Sequence, residues 1–369
     1  MDKTIQIHLR IRNASNSIWD VADNIASYTI HQRKISFDVF DSVFYKESTL
    51  GIYEKTVKNI VDKFKQNENA TIFAYGQTGS GKTHTIMGDT EKGIVQLALE
   101  DILPDNLEIS FVELFNEKIF DLFTKKELKM YSFEDKTIVS GMHSEEIETL
   151  SQVAFFVEKC LENRRSGKTS FNLNSSRSHA ILQIKKKDTV LTFIDLAGSE
   201  RACYDAKRMK EASFINRSLL ALGTLVNNLL NNKSFGFRDS KLTRFLQDTL
   251  TRKTNLVAFC MIDSRKECLS ESLSTLGFAA RLANLEIKAN ETKIDEIKSK
   301  NTSVDFYKMS STVNEEIIQI QRQRIEELER MVLTLLEDIE NKPLSDAFVL
   351  EKQMYQIKLD STITKANSK

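Results

Sequence analysis

Proline is nearly absent from this sequence: Pro104 and Pro343 are the only two in 369 residues. Only four cysteines occur, Cys160, Cys203, Cys260 and Cys268, and no two are spaced as CxxC. That excludes a disulfide framework or a zinc knuckle, and the thiols are expected to be reduced and mostly buried. There is no run of the roughly 18 apolar residues a membrane helix needs. The opening MDKTIQIHLRIR has no apolar stretch behind its charges, so it does not read as a signal peptide. No membrane insertion is expected, and the location expected is the cytoplasm. Net charge is missing too: 52 basic residues balance 52 acidic ones. The whole-molecule charge therefore names no partner and does not suggest nucleic acid, although a basic face can still lie opposite an acidic one. No internal repeat or low-complexity tract is present. Trp19 is expected to be a packing residue, and His31 and His143 surface or turn residues.

What is there is a soluble-type composition, 41% hydrophobic and 28% charged, on a chain long enough for one large domain and an appendage. Thr4 to Arg12 alternates as a strand with one wet face. Thr49 to Phe64 has helical spacing, and the apolar run Ala70 to Tyr75 reads as a buried strand. Further strands are expected over Ile109 to Leu114, Val190 to Leu196 and Asn255 to Ile262, and helices over Gln152 to Asn163, Phe214 to Asn231 and Ser240 to Leu250. This alternation predicts an α/β fold, a central mostly parallel or mixed sheet with helices on both faces. After about Ile287 aromatic residues thin out and Asn, Glu, Lys and Ser take over. A linker, a polar helix and a tail are expected there.

Gly76-Gln77-Thr78-Gly79-Ser80-Gly81-Lys82-Thr83 matches GxxxxGK[ST] between a strand and a helical stretch. Glycines let backbone amides approach phosphates without a Cβ in the way. Lys82 supplies charge to the β- and γ-phosphates, and the Thr83 hydroxyl suits Mg²⁺. Two more polar stretches follow. Asn172 to His179 (NLNSSRSH) packs hydroxyls and amides around Arg177, and Asp195 to Glu200 (DLAGSE) leaves an apolar strand. Phosphoryl transfer is mostly positioning and charge stabilisation. Asp195 at a strand end suits the water shell of Mg²⁺, Ser176 the metal itself, and Gly198 can offer its amide to the γ-phosphate.

These residues resemble the kinesin motor family. The likeness runs from about Ile5 to about Ile287 through IFAYGQTGSGKTHTIMG, ELFNEKIFDL, NSSRSH, DLAGSER, INRSLLALGTL, FRDSKLTRFLQDTL and ESLSTLGFAAR. The resemblance implies a microtubule-stimulated ATPase using ATP and Mg²⁺. It implies that Arg10 and His84 frame the adenine and that Gly76, Gln77, Thr78, Gly79, Ser80, Gly81, Lys82 and Thr83 hold the phosphates. Asn172 to His179 would be switch I, with Ser175 in a water relay and Ser176 on Mg²⁺ beside Thr83, while Asp195 would reach the metal through water. In switch II, Glu200 would prepare the attacking water and latch to Arg177. Phe214 to Asn231 would be a relay helix, and Arg238, Lys241 and Arg244 would face acidic tubulin.

The sequence departs from the family at Asn13, where a proline is usual, and in the glycine-poor segment RACYDAKRMKEASF after Glu200. That loop normally senses microtubule and phosphate, and its Lys207, Arg208 and Lys210 are expected to contact tubulin. The division expected is a motor domain over 1–287, a neck linker over 288–312, a short coiled-coil helix over 313–341 and a polar tail over 342–369. Motor before helix goes with plus-end movement in the family, and LEIKANETKIDE after Arg281 is similar to the neck of the centromere-associated subfamily. Ile318, Ile325, Val332 and Ile339 with Gln321, Leu328 and Leu335 form a heptad seam. β-Branched residues beside Leu favour two parallel strands, so weak self-association through 315–340 is expected, against a single helix folded onto its own motor. A microtubule-binding protein without turnover and a different phosphate-loop ATPase are the competing readings. The cargo is unknown.

Overall fold

The computed structural model describes residues 5–14, 16–30, 33–103, 106–133, 136–166, 177–200, 206–231, 233, 236–251 and 254–291. By its contacts the chain divides into Met1–Asn301 and Thr302–Lys369. The second unit, and with it the expected coiled coil and tail, lies outside the described residues. Among those described, eleven strands form one sheet. One half is parallel: Thr189–Asp195, Ala70–Gly76, Asn255–Asp263, Ile5–Arg12 and Ser42–Tyr45 lie side by side in that order. The other half is antiparallel, running from His179–Lys186 through Leu107–Phe115 to the strands Lys118–Asp121, Glu127–Phe133 and Lys136–Ser140.

The period of the strands explains the layers. Ile72, Ala74, Phe193, Val257 and Phe259 belong to one core with the helical segments 49–65, 94–102 and 150–166. Their neighbours face the other way, where Phe73 and Tyr75 meet Phe278 of the helix Leu269–Glu291. Every residue of Ala70–Gly76 and Asn255–Asp263 is buried, as strands covered on both faces must be. Ile5–Arg12 keeps its wet face only in part: Gln6 and Arg10 are half-buried and Arg12 is exposed, but His8 is 3% exposed between Phe44 and Phe259.

Helix bounds move in instructive ways. The stretch after Ser48 is helical from Thr49 to Lys65 with one π-turn over Tyr53–Val57. Ser240–Leu250 splits into Lys241–Phe245 and Gln247–Thr251. The helix expected over Phe214 to Asn231 runs Ala206–Leu230 and begins eight residues before Phe214. Lys207, Arg208 and Lys210 therefore lie in a helix, not in a loop after Glu200. AKRMKEAS contains no glycine or proline and is rich in strong helix formers, so the helix extends through it. Among the described residues no helix is long and apolar enough to cross a membrane. Cys160 and Cys260 are free and buried, and burial pushes both thiols up to about 12.

Candidate functional site

The C-terminal ends of the parallel strands meet at one edge, where α/β sheets place their ligands. Asp195 pairs in register with Ala74, Met261 with Gly76, and Arg12 with Asp263. The chain leaves its central strand at Gly76, φ +151°, where a Cβ would stand 2.1 Å from the Met261 carbonyl. It enters the helix Lys82–Ile86 through Gly81 at φ +100°. The loop between them lines a cavity of about 490 Å³.

Lys82 is 7% exposed. Its ammonium donates to the carbonyls of Gly76 and Gln77, each at 2.8 Å. Burial lowers its pKa from the ordinary lysine value, while the nearby charges of Asp195 and Glu200 oppose that shift. Thr83 donates its hydroxyl to Asp195 Oδ2 at 2.7 Å. Asp195 Oδ1 is buried without a hydrogen-bond partner, as is Gln77 Oε1. A hydroxyl beside a carboxylate with a spare oxygen is a donor set of oxygens only, which fits Mg²⁺.

The segment Asp195–Glu200 is stapled to the loop. Leu196 donates its amide to Ala74 at 3.3 Å and Ser199 to Gly76 at 3.1 Å. Both Glu200 carboxylate oxygens accept from Thr78, one from the amide at 2.7 Å and one from the hydroxyl. His179 bridges further. Its Nδ1 accepts from the Ala197 amide at 3.0 Å, and its Nε2 lies 2.8 Å from Ser218 Oγ on the helix Ala206–Leu230. Burial first, then the charges of Arg164 and Lys82, bring its pKa down to about 3. The ring is neutral, and with Nδ1 accepting, Nε2–H must donate to Ser218.

Three more residues were not picked out from the sequence. Arg164, from the helix Leu150–Ser166, is 4% exposed. It donates to Glu113 Oε1 at 3.3 Å and to the carbonyl and hydroxyl of Ser178 at 3.1 and 3.2 Å. Its remaining terminal nitrogen faces Asp195 Oδ2 at 3.7 Å. A carboxylate inside the apolar run ISFVEL was the available signal for Glu113, since a buried charge requires a partner. Glu91 accepts from the amide and hydroxyl of Thr49 and lies 3.7 Å from His84 and 3.8 Å from Arg10. The Thr49 hydrogen bonds, followed by the nearby His84 and Arg10 side chains, hold its carboxyl below the usual range.

Arg10 and His84 both line the cavity. The Arg10 guanidinium, however, is occupied by Thr49, Thr85 and the Glu47 carbonyl, at 3.1, 2.6 and 3.3 Å. Arg12 stands at the rim, with its side chain 53% exposed and bonded to the Gly79 carbonyl. Asn172, Ser175 and Ser176 lie outside the described residues. Arg177 is half-buried at the start of the described segment. Elsewhere on the molecule, Arg238 is exposed on the turn Phe237–Asp239, and Lys241 and Arg244 are half-buried on the next helix. The turn Phe237–Asp239 and the helix after it are tied to the antiparallel half of the sheet, with the Lys241 amide donating to Glu117 at 2.7 Å and the Thr137 hydroxyl to the Arg244 carbonyl at 2.8 Å.

A glycine loop joining a buried parallel strand to a helix, with lysine, threonine and an aspartate from the adjacent strand, defines the phosphate-loop class. The family profile described as the kinesin motor domain matches residues 8–285. Kinesin-like protein KIN-7M, chloroplastic, of Arabidopsis thaliana is 33% identical over 355 residues, 86% of this chain and 33% of that protein. Kinesin-like protein KIP2 of Saccharomyces cerevisiae is 30% identical over 390 residues, 83% of this chain and 54% of that protein. A solved fast kinesin, described for its ATPase mechanism and interactions with microtubules, superposes with TM-score 0.70 at 28% identity, covering 76% of this chain and 91% of that one. A KIF14 dimer with AMP-PNP on a microtubule gives 0.69 at 26% identity, covering 77% and 94%. The chain belongs to the kinesin motor-domain family. It spans between 33% and 54% of the length of the two curated relatives named. The neck similarity to the centromere-associated subfamily finds no support in those names, which are of KIN-7 and KIP2 types.

Proposed function

We propose that this chain hydrolyses ATP and turns the free energy into movement along microtubules, toward the plus end. The observation that carries the reading is that Lys82 and Thr83 of the phosphate loop meet Asp195 and Glu200 from the adjacent strand and the segment after it. A fold that had lost turnover would have no need to keep all four. Gly76 to Thr83 hold the phosphates and Lys82 compensates their charge. Thr83, Asp195 and Ser176 would hold Mg²⁺, which supplies charge neutralisation at the phosphates. Water attacks the terminal phosphorus, the bond to the bridging oxygen breaks, and ADP and phosphate leave. Ser175 and Glu200 orient that water, Asn172 lines the site, Gly198 offers its amide, and Arg177 receives Glu200 when the site closes. Arg10 and His84 border the nucleoside end.

The track is read by Arg238, Lys241 and Arg244, together with Lys207, Arg208 and Lys210 at the start of the relay helix. Partner and place follow: tubulin, and hence the microtubule cytoskeleton of the cytoplasm. The motor occupies 1–287, a linker 288–312, a helix that pairs weakly with a second copy 313–341, and a tail 342–369. Steady-state ATPase with and without microtubules tests the reading. Stimulation of many-fold supports it. Turnover indifferent to microtubules would indicate a different ATPase, and tight binding without turnover a non-motile binder. Gliding of polarity-marked microtubules then reads direction.

A further inference from the structure

Glu200 rests on the phosphate loop itself. Its two carboxylate oxygens are taken by the amide and the hydroxyl of one residue, Thr78, which lines the cavity beside Gly79. The contact is close on all sides. A Cβ on Gly198 would meet Thr78 Oγ1 at 2.3 Å and the Glu200 carboxylate oxygens at 2.4 and 2.5 Å. The charge reaches deeper, because Glu200 and Asp195 both act to keep the proton on buried Lys82. A loop arranged to receive anions thus holds an anion of its own chain.

We infer that Thr78 is a positioning residue that parks Glu200 against the phosphate loop, so that a nucleoside triphosphate must dislodge this carboxylate while a diphosphate leaves it in place. The inference rests on the ATPase reading above and adds a selectivity device to it. Two like charges on neighbouring donors repel in a partly dehydrated cleft, and a third phosphate brings negative charge to the end of the loop where Thr78 lies. Displacement frees Glu200 for its task near the water. After phosphate leaves, the amide and hydroxyl of Thr78 take the carboxylate back. Neither donor needs a neighbouring residue to move, since both belong to Thr78.

The test is the ratio of dissociation constants for ADP and AMP-PNP, each with Mg²⁺, on the full chain and three variants. Thr78→Val removes the hydroxyl at constant shape, Thr78→Ser keeps it, and Glu200→Gln removes the charge. Thr78→Val and Glu200→Gln should tighten AMP-PNP relative to ADP by about three- to tenfold, equivalent to roughly 0.6–1.4 kcal/mol, and Thr78→Ser should match the parent. A merely structural role would weaken both ligands together, and that result overturns the inference. It is also overturned if Glu200→Gln shifts the ratio and Thr78→Val does not, because Thr78 would then not be the holder. A Thr78→Val protein that fails to fold shifts the decision to Glu200→Gln, where an unchanged ratio ends the idea. If the parent binds neither nucleotide, the ATPase reading itself fails. If it binds both and no ratio moves, only this inference does.

Discussion

The Arg164 guanidinium and the Asp195 carboxylate face each other at 3.7 Å, with 4% and 2% of their side chains exposed. The same arginine holds Glu113 and Ser178. One buried cation therefore compensates two carboxylates, and one of these also takes the Thr83 hydroxyl. Arg164→Ala should cost about 3–5 kcal/mol, because it takes from Glu113 and Asp195 the countercharge they share. Arg164→Lys should recover part of that, since it restores charge without the planar fork. Urea unfolding measures both, and an alanine variant as stable as the parent would show that the network contributes nothing.

The depressed pKa of His179 gives a signed pH dependence. In the folded chain the ring titrates at about 3, against about 6.5 when unfolded. Below 6.5 the unfolded chain binds the extra proton, so stability falls with falling pH. It is fully present above 6.5 and declines by up to about 1.4 kcal/mol per pH unit toward 3. Denaturant midpoints between pH 7.5 and 5.5 should show this slope for the parent. His179→Gln should lose most of it, whatever its own stability.

Lys82→Met separates binding from folding. The ammonium is desolvated and bonded only to carbonyls among the described residues. A methionine of similar length removes a buried charge, so thermal stability should hold or rise slightly. ATPase should drop by a hundredfold or more. Near-parent turnover would mean that the nucleotide sits elsewhere.

Substituting Arg238, Lys241 and Arg244 by alanine should raise the microtubule concentration for half-maximal stimulation several-fold, with little change in basal turnover. The parent interaction should weaken with salt, because exposed charges are screened over about 8–10 Å at physiological ionic strength. Co-sedimentation that is flat across a salt series would place the track-binding face elsewhere.

Sedimentation at micromolar concentration tests pairing through residues 315–340. A mass that rises with concentration and returns to monomer with Leu328→Asp and Leu335→Asp supports two-headed assembly. A constant monomer mass leaves a single head.

Local patterns were legible where a segment carries its own reason for its shape. Ala70–Gly76 and Asn255–Asp263 announce themselves as apolar runs, and the phosphate loop as glycines before Lys82. The antiparallel strands between Lys118 and Ile147 were not visible, because they are short and mix charge with apolar residues, and their pairing rather than their composition makes them strands. The helix expected from Phe214 starts at Ala206 instead, because strong helix formers with no glycine or proline carry it through the basic stretch. Arg164, Glu91 and the partnership of Thr78 with Glu200 depend on side chains distant in sequence, as far apart as 122 positions for the last pair. No local period could bring them together. Asn172, Ser175 and Ser176 remain as the sequence left them.

The His179 hydrogen bond to Ser218 meets the helix Ala206–Leu230 at its thirteenth residue of 25, the midpoint. At about 1.5 Å per residue each end lies roughly 18 Å from that contact. The imidazole thus ties the Ala197 backbone to the middle of the helix rather than to either end. A tilt of a few degrees pivoting there would lower one end by an ångström or more and raise the other equally. The basic residues Lys207, Arg208 and Lys210 lie on one arm, and Asn227 lies near the end of the other.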